Sequence, residues 1–183
     1  MDQSNAFQAL LNLANRSRTV AKGLPASEQT KQEWSGIGFG LIGQRFVVPL
    51  GQVSELLEVP SYTRLPGVKH WVRGVANVRG RLLPVIDLAM YLGHRLTTPH
   101  KQQRILIIEN QELYCGLLVD QAFGMQHFLT ETYNPDNTAE DAQLLPYLLG
   151  NYPQGDITWH IFSMVNLAES PQFMSAAKSQ LAG

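Results

Sequence analysis

From Trp34 onward the chain is written in short apolar runs, each closed by glycine, proline, asparagine or a charge: "WSGIGFGLI", "RFVVPL", "QVSELLEV", "GVANV", "RLLPVID", "RILIIE", "LYCGLLVD", "FGMQHF", "YLLGNY" and "ITWHIFSMVNLA". Runs of this length at this spacing fit strands better than helices, which need longer periodic segments to bury a face. The rhythm predicts a mainly β protein. Short strands with frequent turns favour small closed or nearly closed barrels, which leave no strand edge unprotected. Turns are placed at Gly43-Gln44 and Asn110-Gln111, and Asp87 is placed as the cap of a short helix "LAMYL" that Gly93 stops.

The strands also fall into two series with one order. Val47-Val48-Pro49-Leu50 sits beside Gly116-Leu117-Leu118-Val119, and "VIDLA" (Val85 to Ala89) beside "MVNLA" (Met164 to Ala168). Each half then reads strand, turn, strand, and later a strand that runs into a helix, so two similar small barrels are expected. Before them, Ser4 to Lys22 carries Phe7, Leu10, Leu11 and Ala14 at helical spacing, with Ser4 or Asn5 as a cap. "GLPASEQTKQE" (Gly23 to Glu33) has no periodicity and reads as a linker. The expected organisation is therefore an N-terminal helix and linker at 1–33, two barrel subdomains at 34–170, and a C-terminal tail or helix at 171–183.

Composition narrows the chemistry. With 44% apolar residues in 183 there is enough to fill such cores. No apolar run approaches the roughly 20 residues that span a bilayer, and Phe7 to Leu13 is broken by Gln8 and Asn12, so a cytoplasmic protein is expected. Cys115 is the only cysteine and lies in an apolar strand, where it reads as a buried small hydrophobe. His70, His94, His100, His127 and His160 are scattered without ligand spacing, so neither metal nor cofactor is expected. "GIGFG" (Gly36 to Gly40) lies in a strand pattern with no helix behind it, which makes it a set of strand glycines and not a phosphate loop. No nucleophile and base pair stands out, and the chain is read as no enzyme.

Charge is unevenly placed. Arg64 to Arg104 carries eight cations against Asp87 alone, a net +7, and the residues from Ile105 on carry nine carboxylates against Lys178 alone, a net −8. Two readings follow: a polar surface that meets partners, or mutual neutralisation in the fold. A nucleic-acid-binding barrel is a third, and the basic segment lacks the interleaved aromatics it would need, having only Trp71 and Tyr91.

The stretch "FGLIGQRFVVPLGQVSELLEVPSYTRLPGVKHWVRGVANVRGRLLPVIDLAMYLG" resembles the CheW-like domain, with "VSELL", "TRLPG", "VRGVANVRG" and "LPVIDL" in the family's order and spacing, and the likeness covers about Trp34 to Ala168. It implies two SH3-like five-stranded barrels with a hydrophobic groove between them. It further implies a non-catalytic adaptor that binds a chemoreceptor's cytoplasmic tip and the regulatory domain of a CheA-type histidine kinase. The long N-terminus, "WSGIGF" and "AFGMQHF" are most similar to the branch serving type IV pili and twitching motility; an adaptor of swimming chemotaxis is the other reading. Carried over by position, the receptor-binding surface comprises Val53, Glu55, Leu56, Gly74, Arg79 and Met125, with Arg79 pairing Glu55. From sequence alone Met125 suits either a groove or a barrel interior. The resemblance places no kinase-facing residues. Pro49, Gly51 and Gly124 depart from the family's usual residues.

Overall fold

A computed structural model describes residues 32–178 except 111, 112, 138 and 140. The chain divides into two units, Met1–Gln32 and Glu33–Gly183. The helix expected at Ser4 to Lys22 lies outside the described residues.

Eleven strands and three helices follow one another in the described residues: β1 (Glu33–Leu41), β2 (Gln44–Pro49), β3 (Glu55–Glu58), β4 (Tyr62–Thr63), β5 (Val72–Val78), β6 (Arg81–Asp87), α1 (Leu88–Tyr91), β7 (Arg104–Glu109), β8 (Tyr114–Val119), β9 (Gln121–Leu129), β10 (Leu148–Gln154), β11 (Ile157–Phe162), α2 (Met164–Glu169) and α3 (Pro171–Lys178). They form two sheets, in the orders β10-β11-β2-β1-β9 and β3-β7-β8-β6-β5-β4. The second holds one strand more than expected. Its sixth, β4, is two residues long and forms where Tyr62 and Thr63 lie antiparallel to Ala76 and Val75.

The repeat seen in the sequence is real, but neither half makes a sheet alone. The β1–β2 hairpin of the first half is completed by β9, β10 and β11 of the second, while the β7–β8 hairpin of the second half is completed by β3 to β6 of the first. β9 joins β1 and β3 joins β7 antiparallel, and one join in each sheet is parallel: Ile161 lies beside Val47, and Val85 beside Gly116. These pairs also correct the internal alignment. Val85-Ile86-Asp87 matches Ile161-Phe162-Ser163, three residues before "MVNLA". The helix caps agree, since Asp87 accepts from Met90 N and Ser163 from Asn166 N. Gly93 (φ 79°) ends α1 as expected, with its N–H on Met90 O and that of His94 on Ala89 O.

Three apolar clusters explain the curvature. Val47, Phe128, Tyr152, Trp159 and Ile161, with Trp34 and Phe123 against them, draw on all five strands of the first sheet. Ala76, Leu83, Val85, Ile105, Ile107 and Leu118, with Leu57 and Tyr62, draw on all six of the second. A sheet whose every strand contributes to one cluster is curled around it. A third cluster, including Phe39, Phe46, Ile86, Leu106, Leu117 and Phe162, lies between the sheets. Strands β6, β7 and β8 thus bury both faces, which is why "RILIIE" and "CGLLV" show no polar alternation. The glycines of β1 are packing glycines. A Cβ on Gly36 would stand 2.3 Å from Val48 O, and one on Gly38 would stand 2.9 Å from the Trp159 ring.

Candidate functional site

β5 and β6 are joined by Arg79 and Gly80, with Val78 and Arg81 paired across the turn. Both turn residues are left-handed, at φ 53° and 81°, the two-residue geometry that suits strand twist and favours Asn-Gly. Asn77 Oδ1 accepts from Gly80 N at 2.9 Å and steadies it. An arginine in this conformation costs about 1 kcal/mol or more relative to glycine. Its side chain reaches across the curled sheet, where Arg79 Nη2 donates to Glu55 Oε1 on β3 at 2.5 Å. The sequence-derived pair exists. Arg79 remains 76% exposed while Glu55 is only 28% exposed.

A second pair stands beside it. Arg81 Nη1 donates to Glu109 Oε1 at 2.7 Å, and the guanidinium lies 3.8 Å over the Tyr114 ring. The hydrogen bond to Glu109 raises the Arg81 pKa above its ordinary value. Between the pairs is a recess of about 270 Å³ lined by Ser54, Glu55, Val78, Arg79, Arg81, Ile107, Glu109 and Tyr114. Ile107 belongs to the second barrel's interior and Val78 and Tyr114 pack against it, so the recess is that barrel's mouth. Ser54 holds β3 to β7 here, with N and Oγ both donating to Ile107 O at 2.8 and 3.0 Å.

The remaining named residues divide. Val53 is half-buried against the central cluster and Leu56 is exposed on β3, flanking Glu55 in the chain. Gly74 is buried, and a Cβ there would stand 2.1 Å from Thr63 O, so glycine is needed for β4 to approach β5. Met125 belongs to the first sheet, opposite Ile37 on β1, and is 54% exposed, outside the barrel interior. Beside it Gly124 (φ 70°) adjoins the irregularity at Gly38/Phe39. Sequence reasoning gave Arg81 no site role and did not single out Glu109 or Tyr114. Glu109 lies 28 residues from Arg81, and only folding joins them.

The opposed charge blocks do meet in part. Arg81–Glu109 and His94–Asp141 join the basic segment to the acidic one, whereas Arg73–Asp87 lies within the basic segment and Arg79–Glu55 does not involve the acidic one. Burial alone would raise the Asp141 carboxyl, but hydrogen bonds from Gln143 N and His94 outweigh it and hold it below the ordinary range. Burial pushes Asp87 up and Cys115 up to about 12. Among the described residues no His, Cys, Asp and Glu group has metal-holding geometry.

The sequence profile of the CheW-like domain matches residues 35–172. This chain belongs to the CheW-like domain family. Protein PilI of Pseudomonas aeruginosa is 45% identical over 96% of this chain and 98% of its own. Chemotaxis protein CheW of Helicobacter pylori is 26% identical over 61% of this chain and 67% of its own. The crystal structure of the scaffolding protein TtCheW from Thermoanaerobacter tengcongensis superimposes with a TM-score of 0.64 at 23% identity, covering 76% of this chain and 95% of that one. The CheW-like fold of two β-sheet lobes is shared, and the coarse role is that of a chemotaxis-type adaptor. No helix among the described residues is long and apolar enough to cross a membrane.

Proposed function

We propose that this CheW-like chain is a non-catalytic cytoplasmic adaptor coupling a chemoreceptor's cytoplasmic tip to the regulatory domain of a CheA-type histidine kinase, in a chemosensory system that serves type IV pili. One observation carries the docking part. A strained turn holds Arg79 at the mouth of the second barrel, against Glu55 and beside Val78 and Ile107 in the recess lining, where strain is retained because the surroundings enforce it. The ion pair orients the partner and the apolar neighbours supply affinity. Near full-length likeness to PilI supports the pilus setting. The matches to CheW proteins keep the swimming array as the other reading. A nucleic-acid interface is disfavoured, because Arg73, Arg79 and Arg81 each already face a carboxylate.

The test is titration of a receptor cytoplasmic fragment. Arg79→Glu is expected to weaken binding by about 1–3 kcal/mol, roughly 5- to 150-fold, while the melting temperature holds, since an exposed pair contributes about 0–1 kcal/mol. Adding Glu55→Arg restores part of the loss if the residues interact. Unchanged binding by Arg79→Glu removes the docking role. Restored twitching, without restored swimming, in strains lacking each adaptor selects the pilus setting.

A further inference from the structure

We propose that the mouth of the second barrel receives a neutral amide side chain, asparagine or glutamine, from the docking partner, and that Arg81, Glu109 and Tyr114 complete the receiving site. This deepens the docking reading and rests on it. The rim carries two cations and two carboxylates, Arg79 with Glu55 and Arg81 with Glu109, so its charges cancel. An incoming carboxylate would gain an arginine and meet a glutamate beside it, and an ammonium would meet the converse. An amide offers a carbonyl acceptor and two N–H donors, and can bond a guanidinium and a carboxylate together without adding charge. Each rim arginine also has N–H groups beyond the one on its glutamate, since a guanidinium carries five.

Size and rigidity agree. At about 270 Å³ the recess is smaller than the roughly 300–1,000 Å³ of small-molecule sites and fits a single side chain, with Ile107 and Val78 receiving its methylenes. Arg81 is pre-positioned by the Glu109 bond and the Tyr114 ring, so binding orders little that is not already ordered.

The experiment uses the full chain and a soluble chemoreceptor cytoplasmic fragment in which each tip asparagine or glutamine is changed in turn to the matching acid. One such change is expected to weaken binding at least 5-fold, and Glu109→Gln, which leaves the rim one charge positive, is expected to recover most of that loss. Glu55→Gln serves the same purpose if Glu109→Gln shifts the melting temperature. The inference is overturned if no amide-to-acid change weakens binding, or if the loss is the same in both rim variants. Binding that is sensitive to Arg79→Glu but blind to every amide change removes the amide alone. Binding indifferent to Arg79→Glu removes the docking reading with it.

Discussion

Arg79 is placed by two requirements that pull apart: its backbone conformation favours glycine or asparagine, and its side chain is an arginine bonded to Glu55. Arg79→Asn relieves the first and abolishes the second. The expected outcome is a fold as stable as the parent or up to about 1 kcal/mol more stable, because Asn-Gly is the preferred pair for this turn. Receptor-fragment binding falls in the same protein. Thermal melting and titration read the two effects separately, and a loss of both would make Arg79 structural. Gly74 shows the opposite case, a residue whose glycine both its backbone at φ 144° and its approach to Thr63 O require.

Strands and loops are held together by a few buried polar groups. Asp120 follows β8 and is buried; it accepts from Ile42 N at 2.7 Å, Thr97 N at 2.5 Å, and Thr98 N and Oγ1 at 2.9 and 3.1 Å. It thereby ties the β1–β2 turn to the loop after α1. That turn is Ile42-Gly43, one residue before the expected position, with β-branched Ile42 at φ 50°. An asparagine turns two donors toward donors, so Asp120→Asn is expected to cost about 1–3 kcal/mol in urea denaturation. His160 on β11 is buried against Phe46, and that burial lowers its pKa from 6.5. With a folded pKa below the unfolded one, the unfolded chain takes up the proton first as pH falls. Stability is therefore lost as pH drops through 6.5 toward the folded value, by no more than about 1.4 kcal/mol per pH unit for one proton. His160→Phe should flatten that slope; an unchanged slope between pH 7.5 and 5.5 would assign the dependence elsewhere.

At the scale of the whole described unit, each half of the repeat lends a hairpin's complement to the other. A chain whose sheets are each built from both halves has no independent barrel to unfold first. A single cooperative transition is expected for residues 33–178. Fragments 1–100 and 101–183 should each lack a thermal transition alone and regain one when mixed in equal amounts. A transition in either fragment by itself would show that the halves are separable domains.

Local chemistry was enough for much of this protein. Strand rhythm, the Asp87 cap, the Gly93 stop and the packing glycines of "GIGFG" are short-range matters of backbone preference and alternation, and they read directly from the chain. The family motifs carried Arg79 to Glu55. The pairing of strands was decided elsewhere. Whether β2 lies beside β6 or β11 depends on which edges and apolar faces meet in space, and β6 to β8, buried on both faces, carry no alternation that marks a side. For the same reason Arg81, Glu109 and Tyr114 converge only once β6, β7 and β8 are neighbours, because ion pairs and ring contacts act over a few ångströms of space and not along the chain.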